Sequence, residues 1–88
     1  MEIIRSEGKF YIGDEKHPSA YLTFTNEDGV LYANSTFVDP SLRGKGVAAE
    51  LTNELVEYAA ENNFKIKPIC SYIVKYFEKH DELKNLLA

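Results

Sequence analysis

The spacing of apolar residues in this chain changes period at one place, and that change limits the folds open to it. Up to Val38 apolar and polar residues alternate in short runs, as in half-buried strands; from Val47 apolar residues recur every three or four positions, as in a helix lying on a surface. Turn chemistry divides the first part into three strands. The first is Lys9 to Gly13, closed by Gly13-Asp14-Glu15-Lys16. The second is Ala20 to Thr25, ending at Asn26-Glu27-Asp28-Gly29. The third runs from about Val30 to Val38 and stops at Asp39-Pro40-Ser41, where proline removes a ladder donor. Residues 2–5 add a short pairing strand.

In the second part Val47, Ala48, Leu51, Leu55, Tyr58 and Ala59 share one helical face, while Glu50, Glu54, Glu57 and Glu61 form a stripe beside it. That stripe is read as a solvated helix face without chemistry. Asn62-Asn63 provides a left-handed stop, and Phe64 to Ile69 alternates again as a strand, with Pro68 expected at the strand end or at a disrupted pairing. A last helix is predicted over Ser71 to Leu87, its later part (Asp81, Glu82, Leu83, Leu86, Leu87) fraying or turning. The expected fold is α/β (α+β): an antiparallel meander leading into a strand–helix–strand–helix core. A right-handed crossover should join the third strand to residues 64–69.

Eighty-eight residues suffice for one modest core, so residues 1–88 are expected to form a single domain. The chain contains no apolar run of the roughly 18 residues that a bilayer demands and no signal-peptide pattern at its start. Its one cysteine, Cys70, excludes an intramolecular disulfide. These features point to a cytoplasmic monomer without a membrane partner. A net charge of -4 argues against nucleic acid, whose phosphates call for a surplus of Lys and Arg. Arg43, Lys45, Lys65 and Lys67 are expected to gather into a small positive spot, suited to one small polyanion. Two separate histidines, His17 and His80, do not make a metal site, and no metal is expected.

Arg43-Gly44-Lys45-Gly46-Val47-Ala48 lies between a predicted strand and a predicted helix. The first amides of a helix point outward unpaired, and its dipole favours negative charge there. Gly44 and Gly46 allow the backbone to approach a phosphate closely and to adopt positive φ, and Arg43 and Lys45 offer charged donors. An ordinary βα turn with two solubilising cations has the same local pattern. Gly44-x-Gly46-x-x-Ala49 also satisfies a dinucleotide fingerprint, but that fingerprint opens directly after its strand, whereas five residues separate Val38 from Gly44. It also needs an acidic residue at the next strand end, where Ile69-Cys70-Ser71 stands. A Walker-type loop is absent.

At this loop the chain resembles the GNAT superfamily of acyl-CoA-dependent N-acetyltransferases, whose signature [QR]-x-x-G-x-[GA] is met by Arg43 to Ala48. With Val38 to Gly46, the following amphipathic helix and Lys65 to Tyr72, it is similar to a subfamily of about 90-residue GNAT-like proteins over residues 9–80. The resemblance implies acetyl-CoA as cofactor, its pyrophosphate on the amides of Gly44, Lys45, Gly46, Val47, Ala48 and Ala49. It implies pantetheine pairing with Thr36, Phe37 and Val38, between parallel strands 30–38 and 64–69 that splay apart. Full GNAT domains are longer and have N-terminal helices and final strands that help to form the acceptor pocket. Subfamily members often carry His-Thr where Ser35-Thr36 stands here, which leaves no titratable base at that point. A family Phe-Tyr-Glu-Lys run supplies an acidic tyrosine; here it is Tyr76-Phe77-Glu78-Lys79, and Tyr76 stands one position off.

Cys70, between a strand end and a helix start, is a candidate catalytic nucleophile or acetyl acceptor, with burial as a small hydrophobe the alternative. His17 and His80 are read as surface residues, and Tyr11, Tyr21, Tyr32, Tyr58 and Tyr72 as core or core edge. Two functions stay open: an N-acetyltransferase of unknown amine acceptor, and a non-catalytic module that binds or senses acyl-CoA.

Overall fold

The computed structural model describes residues 2–88. Five strands form one sheet in chain order: β1 (Ile4–Ser6), β2 (Lys9–Gly13), β3 (Pro18–Glu27), β4 (Val30–Val38) and β5 (Lys65–Pro68). The first four are antiparallel neighbours, and β5 runs parallel to β4. The β3–β4 turn has its expected chemistry: the Asn26 side chain accepts from the Gly29 amide at 3.0 Å, and Asp28 and Gly29 take positive φ. β3 begins at Pro18 and ends at Glu27, longer at both ends than the alternation alone marks out.

Helix α1 (Val47–Asn62) covers one face of the sheet and ends at Asn63, whose φ of 58° is the left-handed stop read from the sequence. Val47, Leu51, Leu55, Val56 and Ala59 of α1 meet Phe10, Leu22, Phe24, Leu31, Ala33 and Ile66 of the sheet in one hydrophobic cluster, which Ile73 and Phe77 complete. The buried Thr52 donates its hydroxyl to the Ala48 carbonyl at 2.8 Å, so it costs the core no unpaired polar group. The glutamate stripe is exposed except at Glu54, but it is not idle. Glu54 and Glu61 clasp Arg5 of β1 at 2.7 and 2.9 Å, and the guanidinium also lies over Phe10 and Tyr58.

The last helix is shorter than predicted. Helix α2 spans Ser71–Lys79, the backbone leaves helical geometry at His80, and Asp81–Leu86 continues as 3₁₀ turns. The reason lies in the final residues: Leu87 bridges to Ile66 and the Ala88 amide bonds to the Ile66 carbonyl at 2.9 Å. The chain end thereby covers the outer edge of β5, which a continuous helix could not do. Among the described residues, no helix is long and apolar enough to cross a membrane.

Two irregularities shape the end of β4. Its register with β3 steps from Thr23↔Ser35 to Phe24↔Ala33, leaving Asn34 as a bulge. Pairing with β5 ends at the next residue back, Ala33↔Pro68, and the Ala33 carbonyl accepts from both Ile69 and Cys70, each at 3.0 Å. β4 continues to Val38 without β5 beside it, so the two parallel strands part at Ala33.

Candidate functional site

The parting of β4 and β5 sets Thr36 opposite Cys70. Thr36 shares the helix-side face of β4 with Ala33 and Val38, because its cross-strand partner is the buried Leu22. Its Oγ1 lies 3.5 Å from Cys70 Sγ. Cys70 is the N-cap of α2 and half-buried. Burial pushes its thiol pKa up, but the Thr36 hydroxyl, and then the amides of Ile73, Tyr72 and Thr36, outweigh this and leave it below the ordinary thiol value. The sulfur caps no amide with a full hydrogen bond, so the helix acts on it through its positive end. Phe37 faces the other side of the sheet, stacked on Tyr21 with ring centroids 5.4 Å apart. Its side chain therefore takes no part in the cleft, and any contribution from Phe37 is a main-chain one.

Beyond Val38 the chain turns through Pro40–Leu42, a 3₁₀ turn capped by the Asp39 carboxylate on the Ser41 amide at 2.9 Å. The hydrogen bonds from Ser41 hold the Asp39 carboxyl below its usual range, and Arg43 adds to this. The Arg43 side chain folds back, with Nε 3.3 Å from the Val38 carbonyl, so it braces the end of β4 as well as carrying charge. Gly44 and Gly46 have φ of 82° and 74°, and a Cβ built on either meets nothing within 4 Å. The first bond of α1 is Glu50 N to Gly46 O at 3.0 Å. Among the described residues, no acceptor takes the amides of Gly44, Lys45, Gly46, Val47, Ala48 or Ala49. Gly44, Gly46, Val47, Ala48 and Ala49 border a cavity of 240 Å³ shared with Val38, Leu42, Arg43 and Tyr72.

A second cavity, of 460 Å³, lies between α1 and α2, lined by Ala49, Glu50, Asn53, Tyr72, Lys75, Tyr76, Lys79 and His80. Ala49 and Tyr72 line both cavities. Tyr76 therefore sits in the interhelical groove, one helical turn further along α2 than Tyr72. Tyr72, read from sequence as core edge, is the tyrosine beside the loop. Its position two residues after Cys70 and four before Tyr76 was the available signal. Burial raises the pKa of both hydroxyls.

The expected positive spot does not form as drawn. Lys65 pairs in register with Val30, at the opposite end of β4 from the loop, and its ammonium donates to the Asn85 carbonyl at 2.6 Å; Lys67 pairs with Tyr32. The parallel register separates both from Arg43 and Lys45, and α2 brings Lys75 and Lys79 to the neighbouring groove instead. His17 is exposed, and His80 stacks on Tyr76 with its Nδ1 2.7 Å from the Tyr76 carbonyl. Among the described residues no His, Cys, Asp and Glu group is arranged for a metal.

The sequence profile of a family described as GCN5-related N-acetyl-transferase matches residues 9–86. The chain is similar, at 36% identity and TM-score 0.82, to the solution structure of a GCN5-like candidate N-acetyltransferase from Staphylococcus aureus, over 99% of this chain and 87% of that one. At 15% identity it shares a fold, with TM-score 0.53, with the aminoglycoside N-acetyltransferase AAC(6')-Iy in complex with CoA, over 85% of this chain and 64% of that one. No curated protein matches it.

Proposed function

Because the chain belongs to the GCN5-related N-acetyltransferase family, we propose that residues 1–88 act as one domain that binds acetyl-CoA and transfers its acetyl group to an amine. The observation that carries this is the run of unpartnered amides from Gly44 to Ala49, at the mouth of the cleft where β4 leaves β5. The pyrophosphate lies on these amides, with Lys45 and Arg43 adding positive charge. Pantetheine follows the main chain of Thr36, Phe37 and Val38, which lacks a β5 partner. This direction carries the thioester toward Thr36 and Cys70.

Two routes lead from there. In direct transfer the amine attacks the thioester carbonyl, the tetrahedral oxyanion forms beside main-chain donors, and the C–S bond breaks to release the CoA thiolate. In the covalent route the Cys70 thiolate attacks first, CoA leaves as thiolate, and the amine then takes the acetyl group from Cys70. In both, the proton lost by the amine ends on the CoA sulfur. Tyr72, two residues after Cys70 in α2 and with its hydroxyl pKa raised, is the side chain we assign to supply that proton. The lowered thiol pKa of Cys70 favours the covalent route, and a cytoplasmic location keeps such a thiol reduced.

One observation favours a second reading, binding or sensing without transfer: neither His17 nor His80 lies at the Thr36–Cys70 cleft to deprotonate an amine. Incubation with radiolabelled acetyl-CoA, with and without a panel of amines, separates these outcomes. Label on an amine supports transfer, and an acetyl adduct on Cys70 that amines discharge supports the covalent route. Binding with label on neither leaves the sensing module.

A further inference from the structure

The turn end of β3 borders a cavity that the transfer chemistry does not use. Its volume is 510 Å³, and Glu7, Gly8, Phe24, Thr25, Asn26 and Tyr58 line it. Thr25 pairs with Tyr32, four residues before Thr36 on β4, so the cavity lies roughly 13 Å along the strand from the Thr36–Cys70 cleft. We propose that this cavity binds a small organic cation, an alkylammonium or quaternary ammonium ion, at a site separate from the cleft. The inference does not rest on the acetyl-CoA reading.

Phe24 and Tyr58 give the cavity an aromatic wall, their ring centroids 6.0 Å apart and their planes tilted by 48°. A ring face attracts positive charge, and Tyr58 already holds one cation: the Arg5 guanidinium lies 5.5 Å from its centroid. Arg5 does not leave this end of the molecule positive, because Glu54 and Glu61 both bond to it, at 2.7 and 2.9 Å. Glu7 is the one charged residue in the lining; it is exposed, and among the described residues it makes no ion pair. Three carboxylates therefore accompany one guanidinium here, a local excess that draws a further cation. Lys9, two residues from Glu7, is turned elsewhere: its ammonium sits over the Tyr11 ring and donates to the Glu15 carbonyl at 3.3 Å. Gly8 puts no side chain into the space, and a Cβ there would meet the Phe24 carbonyl at 3.3 Å. Among the described residues no His, Cys, Asp and Glu group is arranged for a metal ion, and a bare ion would leave the aromatic wall unused. An organic cation uses both features, its apolar body against Phe24 and Tyr58 and its charge toward Glu7.

The test titrates n-butylammonium, tetramethylammonium and neutral 1-butanol into the wild-type protein and into Glu7→Gln, without acetyl-CoA, and follows amide chemical shifts. Both cations should saturate in the millimolar range with their largest shifts at Gly8, Thr25, Asn26 and Tyr58, and 1-butanol should bind more weakly. Glu7→Gln, a change at an exposed turn residue, should weaken both cations roughly 3- to 5-fold, the scale of one exposed ion pair, and leave 1-butanol unaffected. The inference is overturned if neither cation binds, if 1-butanol binds as tightly as n-butylammonium, or if Glu7→Gln binds the cations as the wild type does. Cation shifts confined to the Thr36–Cys70 cleft would overturn it too, and would leave the amine-transfer reading standing.

Discussion

Gly46 is where the fold and the proposed ligand make different demands on one residue. Its φ of 74° disfavours any side chain, but the protein leaves open space where a Cβ would sit. Gly46→Val should therefore cost roughly 1–2 kcal/mol of stability through backbone strain and remove acetyl-CoA binding by obstructing the amides. Thermal denaturation and calorimetric titration read the two effects separately, and unchanged affinity in the folded variant would make the loop an ordinary turn. Cys70 gives a pH-dependent test. The thiolate is the reactive form, and a lowered pKa means a larger thiolate fraction at neutral pH than a free cysteine has. Alkylation of Cys70 should rise with pH through a midpoint below that of free cysteine, and bound acetyl-CoA should slow it. Thr36→Val, which removes the hydroxyl 3.5 Å from the sulfur, should move the midpoint up. A midpoint at or above the free-cysteine value, unaffected by cofactor, would mark a structural thiol.

At the scale of elements, β1 is a three-residue edge strand held by the Arg5 clasp to Glu54 and Glu61 of α1. These pairs are partly exposed, so Arg5→Ala should lower stability by only about 1 kcal/mol and leave acetyl-CoA affinity unchanged; a chemical denaturation midpoint that does not move would show that the clasp adds nothing. The glutamates were legible as a helix face, but their partner lies some fifty positions away and no local pattern points to it. β2, β4 and the stop at Asn63 were legible because each boundary carries its own turn chemistry. The end of α2 was not. Leu83, Leu86 and Leu87 have helical spacing, but tertiary pairing of Leu87 and Ala88 with Ile66 overrides it.

Across the whole molecule, the local shape of the loop at residues 43–49 was readable because its strand, its two positive-φ glycines and its helix start are contiguous in sequence. The cleft and the groove were not, since each joins residues distant in the chain: Thr36 with Cys70, and Ala49 and Asn53 with Tyr72, Lys75 and Tyr76. Lys65 and Lys67 were misplaced for the same reason, because closeness to the loop depends on the β4–β5 register. On the proposed reading one ligand, acetyl-CoA, is held by backbone from Gly44 to Ala49 and enters between β4 and β5. Amide chemical shifts of isotope-labelled protein, followed while acetyl-CoA and, separately, NAD are titrated in, test it most directly. Acetyl-CoA should saturate, with its largest shifts at Gly44 to Ala49 and further shifts at Thr36 to Val38 and Cys70, and NAD should leave these amides unmoved. Saturation by NAD, or acetyl-CoA shifts confined to another face of the protein, would contradict it.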